Sequence, residues 1–195
     1  MSKLEVTFLA ALTTVIIVAG CGSAERREGI EALERVQGAV HGLSILVSAG
    51  ATKAEYSQRF GDVLLKVGDL SQHESETLKK FPKGDQDTVE IFYTHVSGSI
   101  DAYKAAREYF GDTFEGYGCE GGCSFFPEDQ YDAAKKVFPN LAPLTRGPEF
   151  TWYKDNTGSV VNHSYRRSDM LRALWAVARD ENNDAKQLID QLKQK

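Results

Sequence analysis

Residues 28–49 read EGIEALERVQGAVHGLSILVSA. Ile30, Leu33, Val36, Val40, Leu43 and Val47 recur there at intervals of three and four, which lines them up along one stripe of a helix. Gly38 and Gly42 lie one turn apart and would let a second helix approach closely. Gly50 is a natural stop.

The following segments repeat this pattern. Thr52-Lys-Ala-Glu55 has the spacing of a capping box and opens a helix with Tyr56, Phe60, Val63, Leu64, Val67 and Leu70 on one face. Ser71-Gln-His-Glu74 is a second capping-box candidate, starting a short helix that ends near Pro82-Lys-Gly84. Asp85 or Asp87 is the expected cap of a long helix whose stripe is Val89, Phe92, Val96, Ile100, Tyr103 and Phe110, with Gly111 as its end. Residues 112–126 read as a Gly- and aromatic-rich loop. Pro127 suits the first position of a helix running to about Val137. Pro139, Pro143, Gly147 and Pro148 mark a long irregular crossing. Residues 150–163 read either as a small β-hairpin turning at Asn156 to Gly158 or as an ordered loop. The final helix runs from about Arg167 to Leu192, with Leu171, Leu174, Trp175, Ala178, Leu188, Ile189 and Leu192 on its buried face. The polar run Asp180 to Asp184 is a point where it would kink or break.

No period of 20 to 50 residues repeats. Several amphipathic helices of comparable length imply helix-on-helix packing. The expected fold is mainly α: a bundle-like helical domain over residues 28–195, with the irregular crossing and the candidate hairpin as its non-helical parts.

The N-terminal stretch has a different character. Lys3 precedes an apolar run, Phe8 through Val18, that ends in Val18-Ala19-Gly20-Cys21. This pattern resembles a bacterial lipoprotein signal peptide with its lipobox. The run is 11 residues long, short of the roughly 20 that a spanning helix needs. The resemblance implies that residues 1–20 are removed, that Cys21 receives diacylglycerol on its sulfur, and that the new N-terminus is acylated. Two or three chains, at about 0.8 kcal/mol per buried methylene, anchor firmly. Gly22 and Ser23 lack the Asp that retains such proteins at the inner membrane, which implies the outer membrane, facing the periplasm. Residues 21–27 then form a tether; the six after Cys21 span at most about 22 Å. Glu25, Arg26, Arg27 and Glu28 mix signs, so no polybasic lipid-binding cluster is indicated.

The full chain is 42% hydrophobic and 26% charged, the composition of an ordinary globule, with a net charge of −5. A mildly acidic balance argues against nucleic acid as a partner, for which a basic face is the usual footprint. Of the three cysteines, lipidation of Cys21 leaves Cys119 and Cys123 as a pair. Outside the cytoplasm that pair is expected to be a disulfide, contributing about 2 kcal/mol through its short loop.

No catalytic set stands out. Gly116-Tyr-Gly118-Cys-Glu-Gly121 matches the letters of a dinucleotide-binding motif, but the required strand–turn–helix context is missing. Cys119-Glu-Gly-Gly-Cys123 has one residue too many for a thioredoxin-like site. His41, His73, His95 and His163 are not at metal-ligand spacing, so no metal or other cofactor is expected. His163-Ser164 is the only close His–Ser pair, and catalytic triads are built in space rather than by sequence neighbours. Carboxylates are abundant, and none singles itself out for glycosidase chemistry. Arg166-Arg167-Ser-Asp169 reads as the solvated start of a helix.

Two aromatic clusters remain. Tyr109, Phe110, Phe114, Tyr117, Phe125 and Phe126 are expected to be core beneath loops. Phe150, Trp152 and Tyr153 read either as core or as anchors for a partner, because aromatics are enriched at binding hot spots. The functional expectation is a membrane-anchored envelope lipoprotein, non-enzymatic, binding another envelope protein or serving a structural role. The alternative is a small-molecule receptor or envelope hydrolase with a site between the helices.

Overall fold

The computed structural model describes the backbone of residues 3–110, 125–153 and 159–195, and their side chains from residue 24 on apart from 148, 150–153 and 159–162. The elements are α1 (Lys3–Ser48), α2 (Lys53–Val67), α3 (Leu70–Leu78), α4 (Lys83–Glu108), β1 (Phe125–Pro127), α5 (Glu128–Val137), β2 (Arg146–Tyr153), β3 (Ser159–Arg166) and α6 (Arg167–Gln194). The protein is mainly α, with a bundle of long helices and one small antiparallel sheet of order β1-β3-β2. No helix among the described residues is long and apolar enough to cross a membrane.

The bundle alternates in direction. α1 runs up, α2 and α3 run down, α4 runs up and α6 runs down. Contacts at three heights establish this. Arg26 meets Asp85 at one end, Ser99 meets Ala178 in the middle, and the Tyr56 ring meets Phe110 and Trp175 at the other end. The expected stripes form the core: Leu33, Val40, Leu43, Val89, Phe92 and Val96 are fully buried, with Met170, Leu174 and Leu192 from α6. Val47, Leu171, Trp175 and Leu188 are only partly buried and pack around it. Each buried side chain of this size contributes roughly 1.5–3 kcal/mol of transfer free energy.

Local signals explain most helix starts and stops. Thr52 accepts from the Glu55 amide at 3.3 Å while Glu55 accepts from the Thr52 amide at 2.8 Å, so the capping box is present. Gly68 ends α2 with φ +59, donating its amide to the Leu64 carbonyl; a residue with Cβ would be strained there. Leu64 itself is exposed and Leu70 half-buried.

Several expectations need correction. α3 is capped by Asp69, which accepts from the Ser71 and Gln72 amides, not by a box at Ser71. Neither Asp85 nor Asp87 caps α4. Its N-cap is Pro82, without a side-chain hydrogen bond, and Asp85 lies buried in the first turn. Pro127 is not the first residue of α5 but its N-cap and the last residue of β1. Residues 22–27, expected to be a tether, are helical and continuous with α1. Arg27 pairs with Glu31 one turn on, and Arg26 is tied to α4 and α6, which favours helix over extended chain there. Gly38 faces open space, whereas Gly42 does receive a close neighbour, the Arg59 guanidinium of α2. α6 passes through 180–184 without a break, because Glu181 finds His95 and Asn182 is buried.

The hairpin expected over 150–163 is found and is longer. β2 pairs with β3 from Tyr153↔Ser159 to Arg146↔Tyr165, with an irregularity between Arg146 and Glu149. The crossing is shortened accordingly to residues 138–145. The turn at Asn156 to Gly158 lies outside the described residues. β1 adds a third strand, pairing Phe126 with Tyr165, where a loop was expected.

Candidate functional site

Three features of the described residues combine shape with polar chemistry. The first is the end of the bundle where α1, α4 and α6 meet. Asp85 is 6% exposed. Arg26 donates through Nε to its Oδ2 at 3.2 Å, and Lys195 donates through Nζ to its Oδ1 at 2.9 Å. Arg26 also donates to the Leu192 carbonyl near the end of α6. Burial works to raise the Asp85 carboxyl, but the hydrogen bonds and charges of Lys195 and Arg26 outweigh it and hold the group below the usual carboxylate value. Lys193 with Glu34 and Lys80 with Glu28 add exposed pairs at the same end.

The second feature is a groove of about 660 Å³ between the upper half of α4 and α5. Ala105, Tyr109, Gln130, Ala134, Val137 and Phe138 line it. The Gln130 Oε1 atom is buried and has no hydrogen-bond partner among the described residues. Val137 is 68% exposed at its rim. Burial raises the Tyr109 hydroxyl to about 12, with the Glu108 charge adding to it and Arg167 opposing. The phenol is therefore a neutral hydrogen-bonding group near pH 7.

The third is a cavity of about 270 Å³ between α6 and the 138–145 loop, lined on its polar side by Asn140, Asp180, Glu181 and Asp184. Glu181 is committed to His95, whose Nδ1 lies 2.6 Å from its Oε2. The pair joins α4 to α6 across 86 residues of chain. Among the described residues, no group of three or more His, Cys, Asp or Glu could hold a metal ion.

The expected site residues fall as follows. Cys21 lies within α1, and its side chain is outside the described residues. Cys119 and Cys123 are outside them altogether, as are Phe114 and Tyr117. Phe150, Trp152 and Tyr153 are on β2, opposite Asn162, Val160 and Ser159, with their side chains outside the described set. In the first aromatic cluster, Phe126 is fully buried and packs against Tyr109 and Tyr165, as core. His163 and Ser164 do not act together: His163 Nδ1 lies 3.6 Å from Glu149, and Ser164 is buried. Adjacent strand residues point to opposite faces. Arg167 is a correction, because it is 5% exposed rather than solvated.

No family model, no curated protein and no solved structure matches this chain.

Asp85 is the residue that sequence reasoning missed most clearly. Its two cationic partners lie 59 and 110 positions away, a separation that no local pattern encodes. The available signal was an acid in a first helical turn, which reads equally well as a cap. The Gln130 groove left no signal either, since its walls come from two separate helices, α4 and α5.

Proposed function

We propose that the protein is a membrane-anchored envelope lipoprotein whose helical domain is a non-enzymatic protein-binding or structural module. One observation carries this reading: Val18-Ala19-Gly20-Cys21 directly follows an apolar run too short to span a bilayer. Export would bring the domain to the periplasmic face of the outer membrane. Two features are compatible with a binding role. The bundle has a continuous hydrophobic core, and it supports a small sheet whose β2 strand holds Phe150, Trp152 and Tyr153.

The test is membrane fractionation of wild type and Cys21→Ala, with crosslinking and mass spectrometry of the wild type. The variant is expected to leave the membrane fraction. A variant that remains there would overturn lipidation at Cys21. The same reading expects Cys119 and Cys123 to be joined in envelope-purified protein; free thiols at both would count against it.

A second reading, a small-molecule receptor, draws on the groove between α4 and α5 and the unpartnered Gln130 oxygen. Its test is ligand-detected NMR with a mixture of small amphiphilic compounds. Signals that persist in Ala134→Trp, which fills the groove, would overturn it.

A further inference from the structure

At the Asp85 end α4 starts and α6 finishes, both against the Arg26 segment of α1. Arg26 of α1, Asp85 in the first turn of α4 and Lys195 just after α6 are in direct contact. Arg26 lies only five positions along the chain from Cys21. Fully extended they span about 18 Å, and as helix about 7.5 Å. A lipid on Cys21 therefore holds this end, and no other, next to the bilayer. The opposite end lies a helix length away: α6 has 28 residues, about 42 Å at 1.5 Å per residue, and begins where β3 ends.

The near end also offers cations to a lipid surface. Arg26, Arg27, Lys79, Lys80, Lys83 and Lys195 gather at the near end, interspersed with Glu25, Glu28, Glu31, Asp85 and Asp87. Lys79 and Lys83 are exposed and have no ion pair among the described residues. The flanks carry both signs: Glu90, Asp101 and Glu108 stand with Lys104 and Arg107 on α4, and Asp180 and Asp184 with Arg179 and Lys186 on α6. An anionic lipid surface attracts cations within about a Debye length and repels acids. The exposed large apolar side chains, Ile45, Leu64, Leu65, Ile91 and Val137, lie outside the near-end segments that carry these charges, so the near end offers the lipid charged contacts rather than an apolar surface to insert.

We propose that the bundle stands upright on the lipid headgroups on its Arg26–Asp85–Lys195 end and carries the β-sheet about 40 Å out from the bilayer. The partner at the near end is a phospholipid headgroup surface. The inference rests on the lipoprotein reading above and adds an orientation to it.

The test uses the full lipidated chain in phospholipid vesicles containing an acceptor-labelled lipid. A fluorescent amino acid is introduced at Gly84, whose Cβ position is open, or at Ser168, exposed in the first turn of α6. Energy transfer to the lipid is expected to be several-fold stronger from position 84 than from 168. Equal transfer from the two positions, or stronger transfer from 168, in vesicle-bound protein would overturn the upright orientation while leaving lipidation intact. A chain that begins at Met1 and fails to float with the vesicles would overturn the lipoprotein reading and this inference together.

Discussion

Asp85 Oδ2 accepts from Arg26 Nε at 3.2 Å, across 59 residues of chain, and its second oxygen accepts from Lys195 at 2.9 Å. This carboxylate joins the first, fourth and last helices of the fold at one point. Removing it leaves two cations that are themselves partly solvated, at 22% and 53% exposure. The cost is therefore that of lost charged hydrogen bonds, not of a stranded buried charge.

Asp85→Asn is expected to destabilise the domain by about 1–3 kcal/mol. The pH dependence follows from the direction of the shift. The folded carboxyl titrates below its unfolded value, so its contribution is complete above the ordinary carboxylate range and is lost as pH falls through the lower folded value. Urea denaturation of wild type and variant at neutral pH and at successively more acidic pH should show the difference shrinking on acidification. A difference that stayed constant would refute the role.

Gly29 and Gly38 share a helix and should respond oppositely to alanine. A Cβ at Gly29 would stand 2.5 Å from the Phe81 ring, which is buried, so Gly29→Ala should cost about 1–3 kcal/mol through overpacking. A Cβ at Gly38 meets nothing within 4 Å, so Gly38→Ala should stabilise by about 0.5–1 kcal/mol from helix propensity. Thermal denaturation of the two variants separates the effects. A stabilising Gly29→Ala would mean that the α1 contact with Phe81 is not as close as described.

Asn182 is 1% exposed, and neither its amide nitrogen nor its oxygen has a hydrogen-bond partner among the described residues. An unsatisfied buried amide costs about 1–3 kcal/mol, and an apolar side chain of similar volume removes that cost. Asn182→Leu should raise the Tm by a few degrees, at about 2–4 °C per kcal/mol for a domain of this size. A lowered Tm would show that Asn182 has a partner in solution.

The aromatic end of the bundle should limit alkaline stability. Tyr56 donates to the Tyr103 carbonyl at 2.6 Å, and burial pushes both hydroxyls up, Tyr103 to about 12. A phenol raised in the folded state contributes stability below its unfolded value near 10 that is lost as pH rises toward the folded one. Unfolding above about pH 10 should coincide with the rise of phenolate absorbance. Tyr56→Phe should destabilise at neutral pH by about 1 kcal/mol. Phenolate appearing near its ordinary value without unfolding would contradict the burial.

The stripes of Leu33 and Val40, of Tyr56 and Phe60, and of Val89 and Phe92 were legible from spacing, because helical period is a local property and burial follows it. The Thr52 box was legible for the same reason, whereas the sequence left 150–163 open between a hairpin and an ordered loop, and strand pairing decided it. The Asp69 cap and the position of Pro127 were misjudged by a few residues, since neighbouring polar residues compete for the same amides. The short strand β1 had too few residues to show alternation, and it exists because β3 offers it an edge to pair with.

By itself, the chain's sequence determined the helical class, most helix limits and the core faces. Only tertiary structure decided that Asp85 is a buried hub between Arg26 and Lys195, that Glu181 belongs to His95, and which end of the bundle lies beside Cys21. The physical reason is separation along the chain. Periodicity and capping act within one or two turns, whereas an ion pair across 59 or 86 residues depends on how whole helices pack, and that packing is encoded by the summed burial of many side chains rather than by any motif.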